Sequence, residues 1–258
     1  FSWVKSYAAL GDSFAAGIGA GERRGSAFDQ EWQCSRYSDA YPLKIQDVVE
    51  ADNFKFLACT GAVIDNIVQD QVPQLNQNAG LWDLITVSAG GNDVGFGDVL
   101  KACLFLPNGL SNKAACQKAL ADAESKIDTV LTPSVNKLLG LLEGKLNYKG
   151  VIVWTLYAPF FNLSPEPCNS QGWCFVASAW CMSPDVALRT EFNRLVTKTN
   201  DKLIEALGNW KTNNRFRKLQ WADWGGITEM ANGQFCEPDG AANVADDSNS
   251  KLAFIRFN

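Results

Sequence analysis

Short apolar runs alternate with longer amphipathic stretches along most of the chain. Residues 4–10 are a mainly apolar run ending at Gly11, and 54–58, 84–88, 151–157 and 216–221 give four more runs of strand length. The third and fourth are apolar at nearly every position, as strands buried on both faces of a parallel sheet must be. Between the runs, apolar positions recur at helical spacing. Residues 41–51 carry Leu43, Ile45, Val48 and Val49, with Pro42 in the first turn, where a missing N–H costs nothing. Residues 112–142 predict two helices divided near Thr132-Pro133. Residues 183–207 open with Ser183-Pro184-Asp185, a cap followed by proline at the first helical position. This alternation predicts an α/β fold, a parallel sheet covered on both faces. Residues 159–181 keep neither period and read as an irregular surface loop. No repeat or linker interrupts residues 1–258, so a single domain is expected.

Candidate chemistry sits where the first three strands end. Gly11-Asp12-Ser13 follows the first, Gly61 the second and Gly91-Asn92-Asp93 the third. In an open parallel sheet ligands bind beyond the carboxyl ends of the strands, so Ser13, Gly61 and Asn92 are expected to converge on one edge. Ser13 would open a short helical turn over 13–16, where free N–H groups favour negative charge. Gly61 would offer a backbone N–H, Asn92 its side-chain amide. These are the donors that a developing oxyanion requires. Asp12 and Asp93 are expected to organise their turns rather than to react.

Composition narrows the partners. At 258 residues the chain can bury roughly 70–75% of its unfolded surface without staples. Its net charge of −5 argues against nucleic acid, whose phosphates need a cationic surface. The basic clusters Glu22-Arg23-Arg24 and Arg215-Phe216-Arg217-Lys218 are short and read as solvated surface. No apolar run approaches membrane-spanning length. Eight cysteines without a Cys-x-x-Cys pair point to disulfides and an oxidising, extracellular setting. The start at Phe1, without methionine or an apolar leader, fits a processed secreted protein. Asn162-Leu163-Ser164 is a glycosylation sequon. A monomer without metal or cofactor is expected. The acidic stretch with Glu237, Asp239, Asp246 and Asp247 reads as a solvated loop. Trp32, Trp82, Trp154 and Trp221 are expected in the core, and Trp173 and Trp180 in the loop.

Taken together, "AALGDSFAAGIGAG", "CTGAVIDNIVQDQVPQL" and "ITVSAGGNDVGF" resemble the first three sequence blocks of the SGNH, or GDSL, hydrolases. The resemblance covers roughly residues 4–240 and extends to "CSRYSDAYP" and "GQFCEP", which are similar to a secreted, disulfide-containing branch. It implies a three-layer α/β/α sandwich with a five-stranded parallel, flavodoxin-like sheet. It also implies cofactor-free hydrolysis of carbohydrate, short-acyl or lipid esters, with Ser13 as nucleophile and Ser13, Gly61 and Asn92 as oxyanion donors. It implies disulfides Cys34–Cys59 and Cys103–Cys116, and leaves the pairing of Cys168, Cys174, Cys181 and Cys236 open.

One part of the pattern is missing. The family's fourth block, Asp-x-x-His, supplies the base, and this chain contains no histidine. Asn258 comes 22 residues after Cys236, earlier than that block generally falls, so the expectation is an esterase seen without its final segment. A non-catalytic relative that binds carbohydrate or lipid is the alternative. A third reading makes Asp246 or Asp247 the base, although a carboxyl with an ordinary pKa suits a serine hydroxyl poorly.

Overall fold

The computed structural model describes residues 1–77, 81–105, 113–164, 168–170, 183–238 and 252. Trp173, Cys174, Trp180, Cys181, Asp239, Asp246 and Asp247 lie outside the described residues. In chain order the elements are β1 (Ser6–Gly11), α1 (Ser13–Ala16), α2 (Gln30–Gln33), α3 (Tyr41–Val49), β2 (Asn53–Phe56) and α4 (Ile64–Asn66). A π-helical turn (Ile67–Gln71) and a 3-10 turn (Val72–Gln77) extend α4. Next come β3 (Trp82–Ser88), α5 (Phe96–Leu100), α6 (Lys113–Thr129), α7 (Leu131–Glu143), β4 (Leu146–Thr155), α8 (Val186–Asn213), β5 (Leu219–Ala222) and α9 (Gly225–Met230).

All five strands are parallel and lie in the order β2-β1-β3-β4-β5. This is the flavodoxin-like order, with helices on both faces and the switch point between β1 and β3. The register sets Ala9 beside Phe56 on one side and Thr86 on the other, and Gly11 beside Ser88. Side chains alternate between faces as the pleat demands. Tyr7, Ala9, Phe56 and Leu84 join one buried cluster, onto which Tyr41, Leu43, Ile45 and Val49 of α3 pack. Ala8, Leu10, Ile85, Val87, Ile152 and Trp154, of the opposite parity, are all fully buried as well. Fully burying a side chain of this kind is worth about 1.5–3 kcal/mol.

The chain divides into two compact units. The first, Phe1–Asp93 with Leu131–Leu156 and Lys202–Ala222, holds the entire sheet. The second comprises Val94–Val130, Tyr157–Asp201 and Asp223–Asn258. Within the second, Phe161 meets Phe192 and Phe235 edge-on or tilted, and Phe96 stacks on Phe160. Arg189, fully buried, donates to the carbonyls of Asn162 and Ser164 and to Asn169 Oδ1. Among the described residues, three disulfides join Cys34 to Cys59, Cys103 to Cys116 and Cys168 to Cys236.

Several element bounds differ from the sequence expectation. β4 begins at Leu146, five residues earlier than its apolar run, because Asn147, Tyr148 and Lys149 are exposed and break the pattern. The cap of α8 is Asp185, whose Oδ1 accepts the Leu188 N–H at 2.8 Å, so Ser183 and Pro184 precede the helix. The helix also runs through Gly208 to Asn213. Trp210 would meet a Cβ placed on Gly140 of α7 at 3.4 Å, a tertiary contact that outweighs the glycine stop signal. Trp82 and Trp154 are core residues, but Trp221 is 36% exposed because β5 is an edge strand. No helix among the described residues is long and apolar enough to cross a membrane.

The Cys34–Cys59 bridge spans a sequence separation of 25 residues and closes a loop that contains α3 and β2. Replacing both cysteines by serine should cost about 2–4 kcal/mol, since the unfolded chain regains the entropy of the open loop. Urea unfolding of the double variant checks this, and an unchanged midpoint would contradict it.

Candidate active site

The first loop of the site is built at the end of β1. Gly11 has φ +142°, and a Cβ there would run into the Ser88 carbonyl, so only glycine fits. The next N–H, of Asp12, donates to Ser88 O at 3.0 Å. The Asp12 carboxylate is 1% exposed and caps α1 by accepting the Phe14 N–H at 3.0 Å. The same oxygen accepts the Ser88 hydroxyl at 3.0 Å. Ser13 is therefore the first residue of a short helix whose base is anchored to β3. It is half-buried, and neither its N–H nor its hydroxyl has a partner among the described residues. At the start of α3, burial pushes the Tyr41 hydroxyl up to about 12, and the charge of Asp12 adds to the effect.

The second loop follows β2. Ala62 N–H returns to Cys59 O at 3.1 Å, and Gly61 has φ +82° at the third position of that turn. This is the type II pattern, which demands a positive φ at its third residue. A Cβ on Gly61 would meet nothing within 4 Å, so backbone conformation rather than space selects glycine. The Gly61 N–H has no partner among the described residues. The loop is braced from behind by the Cys34–Cys59 bridge, by Thr60 N–H on Cys34 O at 3.0 Å, and by Arg36 Nε on Ala58 O at 2.8 Å.

The third loop grips the second. Asn92 Nδ2 donates one proton to Ala62 O at 3.0 Å and retains its other. Both carboxylate oxygens of Asp93 lie 3.1 Å from the Ile64 N–H, so Asp93 caps α4 from outside its own loop. Burial pushes Asp93 up to about 6, while the Ile64 N–H works against that rise. The three loops thus interlock at the switch point of the sheet, all within the first unit. Ser13, Gly61 and Asn92 each stand on one of them.

Sequence reasoning missed Gln71 and the bracing role of Arg36. Gln71, 2% exposed, bonds both backbone polar groups of Gly11: its Oε1 takes the Gly11 N–H at 2.8 Å and its Nε2 reaches Gly11 O at 2.9 Å. Asn162 lies in the second unit. Its Nδ2, the atom a glycan would take, donates to Glu237 Oε2 at 2.9 Å, and its Oδ1 accepts the Ser164 N–H at 2.8 Å. Burial holds the Glu237 carboxyl above its usual range. Among the described residues no group of three or more acidic or cysteine side chains could hold a metal ion.

This geometry has relatives. Lipase 1 of Streptomyces coelicolor is 31% identical over 157 residues, 61% of this chain and 54% of that protein. A lipase of Streptomyces rimosus is 29% identical over the same length and shares. The chain thus spans about half the length of the curated relatives it matches. Among solved structures, a phospholipase A1 from Streptomyces albidoflavus NA297 has a TM-score of 0.69 at 22% identity, covering 90% of this chain and 84% of that one. The extracellular lipase of Streptomyces rimosus gives 0.67 at 23% identity with the same coverage. At such identities the likeness is one of fold. Residues 9–183, which carry all three interlocked loops, match the GDSL-like lipase/acylhydrolase family, and the chain belongs to it.

Proposed function

We propose that the first unit carries the site of a secreted serine ester hydrolase, with Ser13 as nucleophile. The Ser13 hydroxyl attacks the ester carbonyl carbon, and the negative charge that forms on oxygen is met by three donors. These are the N–H groups of Ser13 and Gly61 and the free amide proton of Asn92. Collapse expels the alcohol and leaves an acyl-serine, which water then hydrolyses. The observation that carries this reading is the pair of unpartnered backbone N–H groups on two loops braced by a third. Donors fixed in place before the reaction stabilise charge without reorganising. Lipid esters are the favoured substrates, because the relatives bear the names lipase and phospholipase A1. The three disulfides and the extracellular relative favour secretion.

The proton of Ser13 needs a base, and the sequence has no histidine to supply one. We place that base outside these 258 residues. The same fact favours a second reading, a non-catalytic protein that binds lipid or carbohydrate through the same loops. Treatment with a fluorophosphonate followed by intact-mass analysis separates the two. One adduct, lost in Ser13→Ala, supports the hydrolase, whereas no adduct even at high reagent concentration favours the binder.

Two further outcomes are expected of the site. Asn92→Ala removes a donor and releases the Ala62 carbonyl, so ester turnover should fall by about 10²–10³. Steady-state kinetics would expose a smaller loss as evidence against the role. For Asp93, folding raises the pKa to about 6 from an unfolded value of about 4. Its contribution to stability is thus full below the unfolded value and is lost as pH climbs through the folded one. Asp93→Asn removes that loss. The Tm difference, variant minus native, should become more positive between about pH 4 and 7. A difference that stays flat across thermal melts in that window would remove Asp93 as the titrating group.

A further inference from the structure

We infer that Gln71 is a positioning residue for Ser13, its carboxamide supplying the rung of the sheet that β2 leaves empty at Gly11. In a regular parallel ladder, a residue whose N–H reaches Ala9 O returns its own carbonyl to the Gly11 N–H. Leu57 makes the first bond, at 2.8 Å, and not the second. The Gly11 N–H goes to Gln71 Oε1 instead, at 2.8 Å. Gly11 O receives Gln71 Nε2 and the Cys59 N–H, each at 2.9 Å.

The choice of residue agrees with this geometry. A carboxamide offers a donor and an acceptor in one plane and buries no charge. A carboxylate would set an acceptor oxygen against the Gly11 carbonyl, and an aliphatic chain would leave a buried N–H unpaired. The backbone is also bent to the purpose. Gln71 is the last residue of the π-helical turn Ile67–Gln71. Each residue inserted into a helix rotates the succeeding turn by about 100°. Such turns are rare and concentrate at functional sites.

Ser13 is two residues beyond Gly11, and Asp12 between them is pinned to Ser88 of β3. The end of β1 is therefore held from both sides, and on the β2 side Gln71 takes the Gly11 N–H and shares Gly11 O with the Cys59 N–H. Loosening that side by removing Gln71 lets the nucleophile drift from its donors. A misplacement of about 1 Å can cost about 10²-fold in rate.

The test rests on Ser13 being the nucleophile proposed above, and compares native protein with Ser13→Ala, Gln71→Leu and Gln71→Glu. Readouts are the rate constant of fluorophosphonate labelling, kcat and KM on a soluble ester, and Tm. Gln71→Leu should slow labelling and kcat by about 10- to 100-fold, with KM changed by less than about twofold. Gln71→Glu should be equally slow at pH 8 and approach the native rate as pH falls. A protonated carboxyl again presents one donor and one acceptor, and burial raises the pH at which it forms. A merely structural residue would lower Tm while leaving the labelling rate of folded protein native and its ratio to native flat with pH. That result overturns the inference. Ser13-dependent labelling that Gln71→Leu leaves unchanged sinks the role of Gln71 alone. Native protein without Ser13-dependent labelling sinks the nucleophile and this inference together. Should Gln71→Leu fail to fold, the pH profile of Gln71→Glu decides.

Discussion

The backbone at Gly11 is where β1 stops and the loop that carries Ser13 starts, and it is bonded on both edges at once. Toward β3, the following N–H takes Ser88 O. Toward β2, the same backbone meets Cys59 and Gln71. No side chain can occupy the position, since the Ser88 carbonyl fills the space a Cβ would need. These bonds lie at the switch point of the strand order, where the chain paths on either side diverge and leave room for a ligand. A small displacement here moves the α1 cap Asp12 and Ser13 with it, so the close approach of β1 and β3 sets the geometry of everything beyond it.

From that anchor the other loops are placed in sequence, each by a bond from its neighbour. The Cys34–Cys59 bridge and Arg36 hold the loop after β2. Asn92 holds its Ala62 carbonyl, and Asp93 caps the helix after it. The amide of Asn92 therefore serves two ends, one proton bracing the loop that carries Gly61 and the other left over. Buried polar networks of this kind fix a single arrangement when every member is satisfied. Among the described residues the backbone N–H groups of half-buried Ser13 and exposed Gly61 have no partner, and the ligand is proposed to sit there.

Much of this frame is legible in the sequence, because burial on two faces writes itself as unbroken apolar runs. Val87 and Ile152 announce their strands in that way. The beginning of β4 does not, since Asn147, Tyr148 and Lys149 are exposed. Trp221 misleads for a related reason: an aromatic in a strand suggests a core position, and only the strand order reveals that β5 is an edge. The site divides similarly. Glycine after a strand signals a turn that needs positive φ, so Gly11 and Gly61 can be read directly. Gln71 cannot. It is one of four glutamines in the stretch Asn66 to Gln77, and its burial depends on a π-helical turn that no periodicity predicts. The partner of Asp93 is equally hidden, because Ile64 lies 29 residues away.

The absence of histidine bears on the base, not on the frame. Each bond that places Ser13, Gly61 and Asn92 is made by residues of this chain and survives without a base. The carboxylates adjacent to the site in sequence cannot easily fill the gap. Asp12 spends an oxygen on the Phe14 N–H and the Ser88 hydroxyl, and Asp93 directs both oxygens at Ile64. The raised pKa of Asp93 improves its match to a proton acceptor's task, but withdrawing it would uncap α4. In serine hydrolases the oxyanion donors and binding alone retain about 10³–10⁴ over water after a triad member is removed. An arrangement of donors that persists without its base thus fits the proposal of a site whose proton acceptor comes from elsewhere.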